Sequence, residues 1–229
     1  MLFIVSTPIG NLKDITFRAV ETLGEVDFII CEDTRVSSHL LNHYQIKKEL
    51  ISLNAFNEEK KIEYVLGRIS VGEKAALISD AGTPTISDPG NRLISAAIHQ
   101  GITIVPIPGV SAVITALYIA GLPTDAFIYE GFPPQKKGRQ KFLSGLATEE
   151  RTIVLYESTY RIHKLLEELK QYMPERIIVI CRELTKKFEE VLRGKAEELI
   201  SKIGERELKG EIVVVISPLK WIEKETTEE

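Results

Sequence analysis

The stretch LISDAGTPTISDPG, from Leu77 to Gly90, predicts the end of a strand, a polar loop and the start of a helix. An apolar run over 75–78 stops at Ser79, and apolar residues recur at helical spacing over 93–98. About ten loop-forming residues separate them, more than the ~2–6 of an ordinary strand-to-helix connection. Two prolines stiffen this loop, so little conformational entropy is lost when a ligand binds. Because ligands of open α/β sheets bind at the carboxyl ends of strands, we expect a ligand-binding loop, with a plain connection as the alternative.

Outward from this loop, apolar runs alternate with amphipathic helical patterns. The first half predicts strands at 2–6, 26–31, 50–53, 75–79 and 102–107, and helices at 16–23, 37–44, 58–71, 89–100 and 110–120. Near-continuous apolar strands between such helices are typical of a buried, mainly parallel sheet. The second half predicts strands at 126–130, 152–157, 176–181, 188–192 and 211–217, and helices at 138–146, 158–172 and 195–203. We expect two α/β domains, 1–115 and 116–220, and a flexible tail over 221–229; a single larger sheet is the alternative.

Composition limits the classes of function. The 229 residues carry a net charge of −4, so any nucleic-acid binding must rest on a local basic patch. Cys31 and Cys181 lie in apolar runs, as buried free thiols of a reducing compartment do, with a disulfide between them as the alternative. The cysteines and histidines form no metal-binding pattern. No apolar run approaches the ~18 residues of a membrane span, and the N-terminus has no signal-peptide pattern. We expect a cytoplasmic protein with no metal and no membrane partner.

Three more strands of the first half run into loops that could carry functional residues. They lead into the segments 7–14, 32–35 and 108–112. Because the carboxyl ends of parallel strands meet at one edge of a sheet, these loops and the 79–90 loop predict a single site. Asp33 suits a helix cap, whereas Glu32 and Arg35 are harder to explain in that way, since charge near buried chain must be paired. No dinucleotide-binding or P-loop pattern is present.

The second half offers a basic loop and two charged turns. Four cations and an aromatic residue lie together in residues 131–141, a combination that suits phosphate contact and base stacking. Charged residues also follow two predicted strands, in the segments 156–161 and 182–190. A solvated surface and exposed ion-paired turns are the alternatives for these segments.

Six short motifs, taken in order, resemble those of the tetrapyrrole (corrin/porphyrin) methylase superfamily, and within it the bacterial small-subunit ribosomal RNA 2′-O-methyltransferases. The motifs lie at 7–12, 32–35, 79–90, 108–112, 156–161 and 182–186, and the resemblance covers about residues 2–217. Each motif alone is weak, but their order is specific. Corrin methylases carry a related Gly-Asp-Pro-type loop where this chain has Asp80-Ala81-Gly82, and the departure favours the RNA branch.

The resemblance implies two α/β domains of the tetrapyrrole methylase type, with S-adenosylmethionine in the cleft between them, and a homodimer. It also implies methylation of the 2′-oxygen of a cytidine ribose in the decoding centre of 16S rRNA, in the small ribosomal subunit. Carried over by motif, the cofactor-binding residues are Pro8, Gly10, Asp80, Ala81, Gly82, Thr83, Pro84, Asp88, Ser111 and Ala112. The candidates for RNA contact are Phe132, Lys136, Lys137, Arg139 and Lys141. A side chain at Gly82 is expected to occupy the ligand side of its loop.

Methyl transfer to a ribose oxygen requires alignment of the two reacting atoms and the exclusion of water. Since the hydroxyl is a weak acid, a general base or a cation beside the developing oxyanion would help. The candidates, whose roles the sequence leaves unassigned, are Glu32, Asp33, Arg35, Glu157, Arg161, Glu183 and Lys186. Each carboxylate could instead be the structural partner of a neighbouring arginine, and a purely positional mechanism also stays open. Alternative functions are methylation of a corrin or porphyrin, or RNA binding without catalysis in ribosome assembly.

Overall fold

The computed structural model describes residues 1–53 and 58–221, and 58–60 by their backbone alone. Within these residues the chain divides into two units, one ending at Ser111 and one beginning at Ala112. All of the tail predicted at 221–229 except Trp221 lies outside the described residues.

Strands and helices alternate in the first unit. Its strands are β1 (Leu2–Val5), β2 (Phe28–Cys31), β3 (Glu49–Ser52), β4 (Ala75–Leu77) and β5 (Ile104–Ile107). Its helices are a short 3-10 helix (Leu12–Asp14), α1 (Phe17–Glu25), α2 (Thr34–His43), α3 (Glu58–Ser70) and α4 (Asn91–His99). The five strands pair in the order β3-β2-β4-β1-β5, every pair parallel, so the predicted parallel sheet is confirmed.

Neighbouring residues of each strand point to opposite faces of the parallel sheet, and both faces are covered by hydrophobic clusters. Phe28 and Ile30 pack in one hydrophobic cluster, while Ile29 and Cys31 pack in the other. The register aligns Val5 with Ile107, so β1 and β5 end at the same level. The loops that follow these strands therefore start side by side at one edge of the sheet.

The second unit holds a mixed sheet. Its elements are α5 (Ala112–Ala120), β6 (Phe127–Tyr129), α6 (Arg139–Leu146), β7 (Thr152–Ser158), α7 (Ile162–Tyr172), β8 (Ile178–Arg182), β9 (Glu190–Gly194), α8 (Ala196–Ile203) and β10 (Glu211–Ile216). The strand order is β6-β7-β10-β8-β9; β6 and β7 are parallel, and the other pairs are antiparallel. Helices α6, α7 and α8 cover one face of this sheet, and α5 packs against β10. The expected α/β class is confirmed in both units.

The register of the mixed sheet brings several strand ends to one edge. Glu211, the first residue of β10, pairs with Ser158 at the end of β7, and Arg182 at the end of β8 pairs with Glu190 at the start of β9. Since β6 runs parallel to β7, its carboxyl end lies at this edge too. The basic loop and both charged turns therefore extend from the same edge. No helix of the described residues is long and apolar enough to cross a membrane.

Candidate functional site

Hydrogen bonds join the loops after β1, β4 and β5 into one assembly. The Thr7 amide donates to the Gly82 carbonyl at 2.8 Å, and the Gly82 amide donates to the Thr7 carbonyl at 3.1 Å. Ser6 Oγ lies 3.1 Å from Thr83 Oγ1, which donates to the Val110 carbonyl at 3.0 Å. Short polar side chains at the strand ends thus fix three loops against one another.

The loop after β2 joins the same assembly through Asp80. The Asp33 amide donates to Asp80 Oδ1 at 3.1 Å. Asp33 also caps α2, because its side chain accepts from the Arg35 amide at 2.8 Å, and it forms an ion pair with the Arg35 guanidinium at 2.6 Å. Asp33 therefore has both the capping role anticipated for it and a place beside the 79–90 loop.

The loop between β4 and α4 contains two residues with a strained backbone. Thr85 and Ser87 have positive φ angles of 72° and 64°, a conformation that residues other than glycine rarely adopt. Each such residue costs about 1–3 kcal/mol and persists only where the surrounding structure holds it. Strain of this kind clusters at ligand-binding sites, which supports the interpretation of this loop as functional.

The expectation that a side chain at Gly82 would project toward a ligand is wrong. Gly82 has a φ of +82°, and a Cβ there would lie 3.2 Å from Ile9 Cγ2 and 3.7 Å from the Val110 carbonyl oxygen. A Cβ at Gly109 would lie 2.9 Å from Ser6 Cβ. Both glycines are required because the loops after β1, β4 and β5 approach one another closely.

Three carboxyl groups surround this junction and differ in electrostatics. Burial raises the pKa of Asp80, with repulsion from Asp33 opposed by the bond from the Asp33 amide. Burial, and then the charges of Asp80 and Asp33, raises the pKa of Glu32. Hydrogen bonds from Arg35 lower the pKa of Asp33 to about 2. Asp33 is thus ionised at neutral pH. A positively charged ligand would stabilise the ionised forms of Glu32 and Asp80.

The other sequence-predicted cofactor residues lie along the same segments. Pro8 and Pro84 are buried, while Gly10 and Ala81 are exposed and Asp88 is half-buried. Ser111 ends the first unit, and Ala112 begins α5 in the second.

In the second unit, Glu157 lies at the centre of a buried ion-pair network. It is 2% exposed and accepts from Arg161 Nε at 2.7 Å, from the Ser158 amide at 2.8 Å and from Arg139 Nη2 at 3.4 Å. Arg139 also pairs with Glu168 at 2.7 Å. Glu157 and Arg161 thus have structural partners, the alternative that the sequence left open.

Glu183 and Lys186 form a second network at the same edge of the sheet. Lys186 Nζ lies 2.9 Å from Glu183 and 2.8 Å from Glu211, and Glu183 also accepts from the Glu211 amide. Glu183 and Thr185 have φ angles of 51° and 66°, so this turn also holds strained residues. Its ion pairs link the end of β8 to the start of β10.

The predicted RNA-contact residues separate into two kinds. Phe132 is 53% exposed and packs against Tyr156 with ring centres 5.4 Å apart, and Lys136, Lys137 and Lys141 are exposed. Arg139 is 3% exposed and donates to the Pro134 carbonyl as well as to its two glutamates. The assignment of Arg139 to RNA contact is therefore corrected, because its guanidinium is occupied inside the protein.

Sequence reasoning missed Ser6, Thr7 and Ser79, whose hydroxyls support the loop junction. Thr7 Oγ1 donates to the Ser79 carbonyl at 3.2 Å, and Ser79 Oγ donates to the Gly82 carbonyl at 3.2 Å. All three are buried and lie within two residues of the end of β1 or β4. That position, a hydroxyl residue where an apolar strand enters a glycine-rich loop, is the signal that could have identified them.

Comparisons with known proteins agree on one family. Residues 1–200 match the family model for tetrapyrrole (corrin/porphyrin) methylases. Two proteins named ribosomal RNA small subunit methyltransferase I are close relatives. The one from Thermotoga maritima is 45% identical over 94% of this chain and 97% of its own. The one from Escherichia coli O157:H7 is 46% identical over 98% of this chain and 80% of its own.

Solved structures share the fold at low sequence identity. A cobalt precorrin-4 methyltransferase of cobalamin biosynthesis aligns with a TM-score of 0.71 at 19% identity, over 94% of both chains. A uroporphyrin-III C-methyltransferase from Thermus thermophilus, complexed with S-adenosyl homocysteine, aligns with a TM-score of 0.65 at 16% identity, over 95% of this chain and 97% of its own.

Proposed function

The chain belongs to the tetrapyrrole (corrin/porphyrin) methylase family, and we propose that it is an S-adenosylmethionine-dependent methyltransferase of small-subunit ribosomal RNA. One observation carries this proposal. Identity of 45–46% over nearly the whole chain links it to the two proteins named for rRNA methylation, against 16–19% for the two aligned methylases of corrins and porphyrins. Similarity at the lower level extends to the fold alone, which hosts different acceptors.

The acceptor that we propose is the 2′-oxygen of a cytidine ribose in the decoding centre of 16S rRNA. The Asp80-Ala81-Gly82 sequence, which departs from the Gly-Asp-Pro-type loop of corrin methylases, supports this choice. The small ribosomal subunit is then the partner, and the cytoplasm is the compartment in which the two meet. We also propose a homodimer, on the family resemblance, and light scattering at micromolar concentration tests it.

The loop junction of the first unit fits S-adenosylmethionine by its chemistry. The cofactor is a sulfonium cation with an ammonium group, and the junction presents the carboxyl group of Asp80, whose pKa is raised by burial and by the negative charge of Asp33. A cation placed beside Asp80 relieves both effects. Gly82 and Thr83 would contribute backbone from the loop that the Thr7 and Ser6 bonds hold rigid.

When bound, S-adenosylmethionine supplies a methyl group that is already strongly electrophilic. The chain contributes alignment, since a junction fixed by hydrogen bonds and strained residues loses little freedom on binding; well-aligned intramolecular reactions gain up to about 7–11 kcal/mol in this way. We propose that Glu32 is the general base that accepts the proton of the ribose hydroxyl. Among the described residues its carboxylate has no hydrogen-bond donor, and its raised pKa makes it a stronger base than an ordinary glutamate.

The test is transfer of a labelled methyl group from S-adenosylmethionine to small ribosomal subunits from cells that lack this activity. Label on the 2′-oxygen of a single cytidine supports the proposed function, and nuclease mapping identifies the nucleotide. Cofactor binding without label on RNA would reject the RNA assignment and favour a small-molecule acceptor. Glu32→Gln is expected to reduce kcat at least about 100-fold while the affinity for the cofactor changes little.

A further inference from the structure

One edge of the sheet in the second unit displays exposed aromatic side chains on three loops. Phe132 follows β6, Tyr160 follows β7, and Phe188 lies between β8 and β9. Their exposed fractions are 53%, 90% and 64%. The pairing of β6 with β7, of β7 and β8 with β10, and of β8 with β9 brings all three loops to the edge that carries Ser158 and Glu211.

Lysines accompany these aromatic residues. Lys187 Nζ lies 5.5 Å from the centre of the Phe188 ring, a cation–π contact, and Lys136 and Lys137 follow Phe132 in its loop. All three lysines are exposed, and within the described residues none forms an ion pair with a carboxylate. We call this surface the aromatic edge: Phe132, Tyr160, Phe188, Lys136, Lys137 and Lys187.

Buried ion pairs hold the first two loops of the aromatic edge in place. Arg139 donates to the Pro134 carbonyl at 3.1 Å, which fixes the loop that carries Phe132 to the network around Glu157. Arg161, the residue after Tyr160, donates to the same Glu157 at 2.7 Å. The two loops are thus anchored on one buried carboxylate.

The third loop has an anchor of its own. Lys186, immediately before Lys187, bridges Glu183 and Glu211, and the Thr185 amide donates to Glu189 Oε2 at 2.6 Å. These contacts lie on both sides of Phe188. Exposed aromatic rings on anchored loops lose little entropy when a ligand stacks on them.

We propose that the aromatic edge stacks the bases of an unpaired RNA segment, with its lysines on the phosphates. The inference rests on the proposed function and deepens it, since it identifies single-stranded RNA as the form that the second unit binds. Tyr160, Phe188 and Lys187, which sequence reasoning did not nominate, are the new contact residues. Five strands at about 4.8 Å spacing make an edge about 19 Å wide, enough for several nucleotides that advance about 3.4 Å each when stacked.

The chemistry favours unpaired RNA over other partners. Bases in a duplex are stacked on one another, so exposed rings gain access only to bases of loops, bulges and single strands. Exposed lysines that pair with no carboxylate in the described part of the chain suit phosphates, in a protein whose net charge of −4 otherwise repels RNA. A protein partner would use the same rings without the same need for cations, and the test separates the two.

The experiment compares Tyr160→Ala/Phe188→Ala with the matched control Phe17→Ala, whose ring on α1 is 92% exposed. The probes are a short single-stranded RNA, the same strand annealed to its complement, and unmethylated small ribosomal subunits. Fluorescence anisotropy measures binding to the first two, methyl transfer gives KM and kcat for the third, and calorimetry measures cofactor affinity. Tyr160→Phe/Phe188→Tyr serves as the conservative variant.

We expect the double alanine variant to bind the single strand about fivefold to 100-fold more weakly for each ring removed, while duplex and cofactor affinities stay unchanged. KM for the subunits rises in parallel, the conservative variant restores it, and the Phe17 variant resembles the wild type. Unchanged single-strand binding overturns the proposal. So does a raised KM for subunits with normal single-strand binding, since the rings would then contact ribosomal protein. Absence of methyl transfer by the wild type rejects the proposed function instead, because the single-strand measurement needs no catalysis.

Discussion

At the scale of single residues, Asp80 shows how a residue of the proposed cofactor site can oppose stability. Its carboxylate accepts one hydrogen bond from the Asp33 amide, yet burial and the charge of Asp33 still raise its pKa. A raised pKa in the folded state means that ionised Asp80 weakens the fold. Such a group is retained where a ligand of opposite charge restores the balance.

Asp80→Asn keeps an oxygen for the Asp33 amide and removes the charge. At neutral pH we expect the free energy of unfolding of the variant to be higher than that of the wild type, and its unfolding temperature with it. The gain is only about 0.5 kcal/mol, since water screens part of the charge of the half-buried carboxyl. The gain disappears as the pH falls through the raised pKa of Asp80 to below its ordinary value, because the wild-type group is then protonated too. Cofactor affinity is expected to fall at least tenfold. Thermal unfolding across pH and calorimetry check the two effects, and a variant that is less stable at neutral pH would contradict this account.

Arg139 is the residue whose role changed most between sequence and structure. We expect Arg139→Met to lower the free energy of unfolding by about 3 kcal/mol, because it leaves Glu157 buried with one guanidinium partner fewer. Lys141→Met, an exposed lysine of the same helix, is the control and is expected to change it by less than about 0.5 kcal/mol. Urea unfolding measures both. Similar values for the two variants would show that the buried network adds no stability.

At the scale of elements, the loop between β4 and α4 depends on a backbone conformation. Gly82→Ala places a Cβ at a φ of +82° and 3.2 Å from Ile9 Cγ2, so we expect a loss of about 1–2 kcal/mol in the free energy of unfolding and weaker cofactor binding. Gly67→Ala, in the interior of α3, is the control and is expected to gain about 0.5–1 kcal/mol, because apart from its chain neighbours and the helix backbone no described atom lies within 4 Å of the new Cβ. Denaturant unfolding compares them. Changes of opposite sign in the two variants are the diagnostic result, and a stabilised Gly82 variant would contradict the geometry.

Strands and helices were predictable from the sequence because burial determines both patterns. Every predicted strand and helix exists, and Asp33 caps its helix as expected. Strand β9 begins at Glu190, two residues later than predicted, because a hydrogen-bonded turn over residues 183–189 precedes it. Helix α7 begins at Ile162, later than the predicted 158, because a turn in which the Arg161 amide donates to the Ser158 carbonyl precedes it.

Long-range partners were not predictable in the same way. The sequence shows that Arg139 lies in a basic run, and a basic run predicts a solvated or phosphate-binding surface. Its partners Glu157 and Glu168 are 18 and 29 residues away along the chain, so only the folded sheet and helices reveal the pairing. Convergence of the first-unit loops was predictable, since a parallel sheet brings strand ends to one edge whatever the partners are.

At the scale of the whole molecule, the net charge of −4 requires RNA binding to be local. If the exposed lysines after Phe132 contact phosphates, Lys136→Gln/Lys137→Gln reduces the steepness of the salt dependence of binding to small subunits, by about 0.7 per lysine for single-stranded contacts. Lys47→Gln/Lys48→Gln, in the first unit, makes the same change in net charge and is expected to leave the slope unaltered. Binding measured over a series of salt concentrations checks both. Equal slopes for the two variants would mean that charge acts at long range over the whole molecule and would remove the basic loop from the RNA interface.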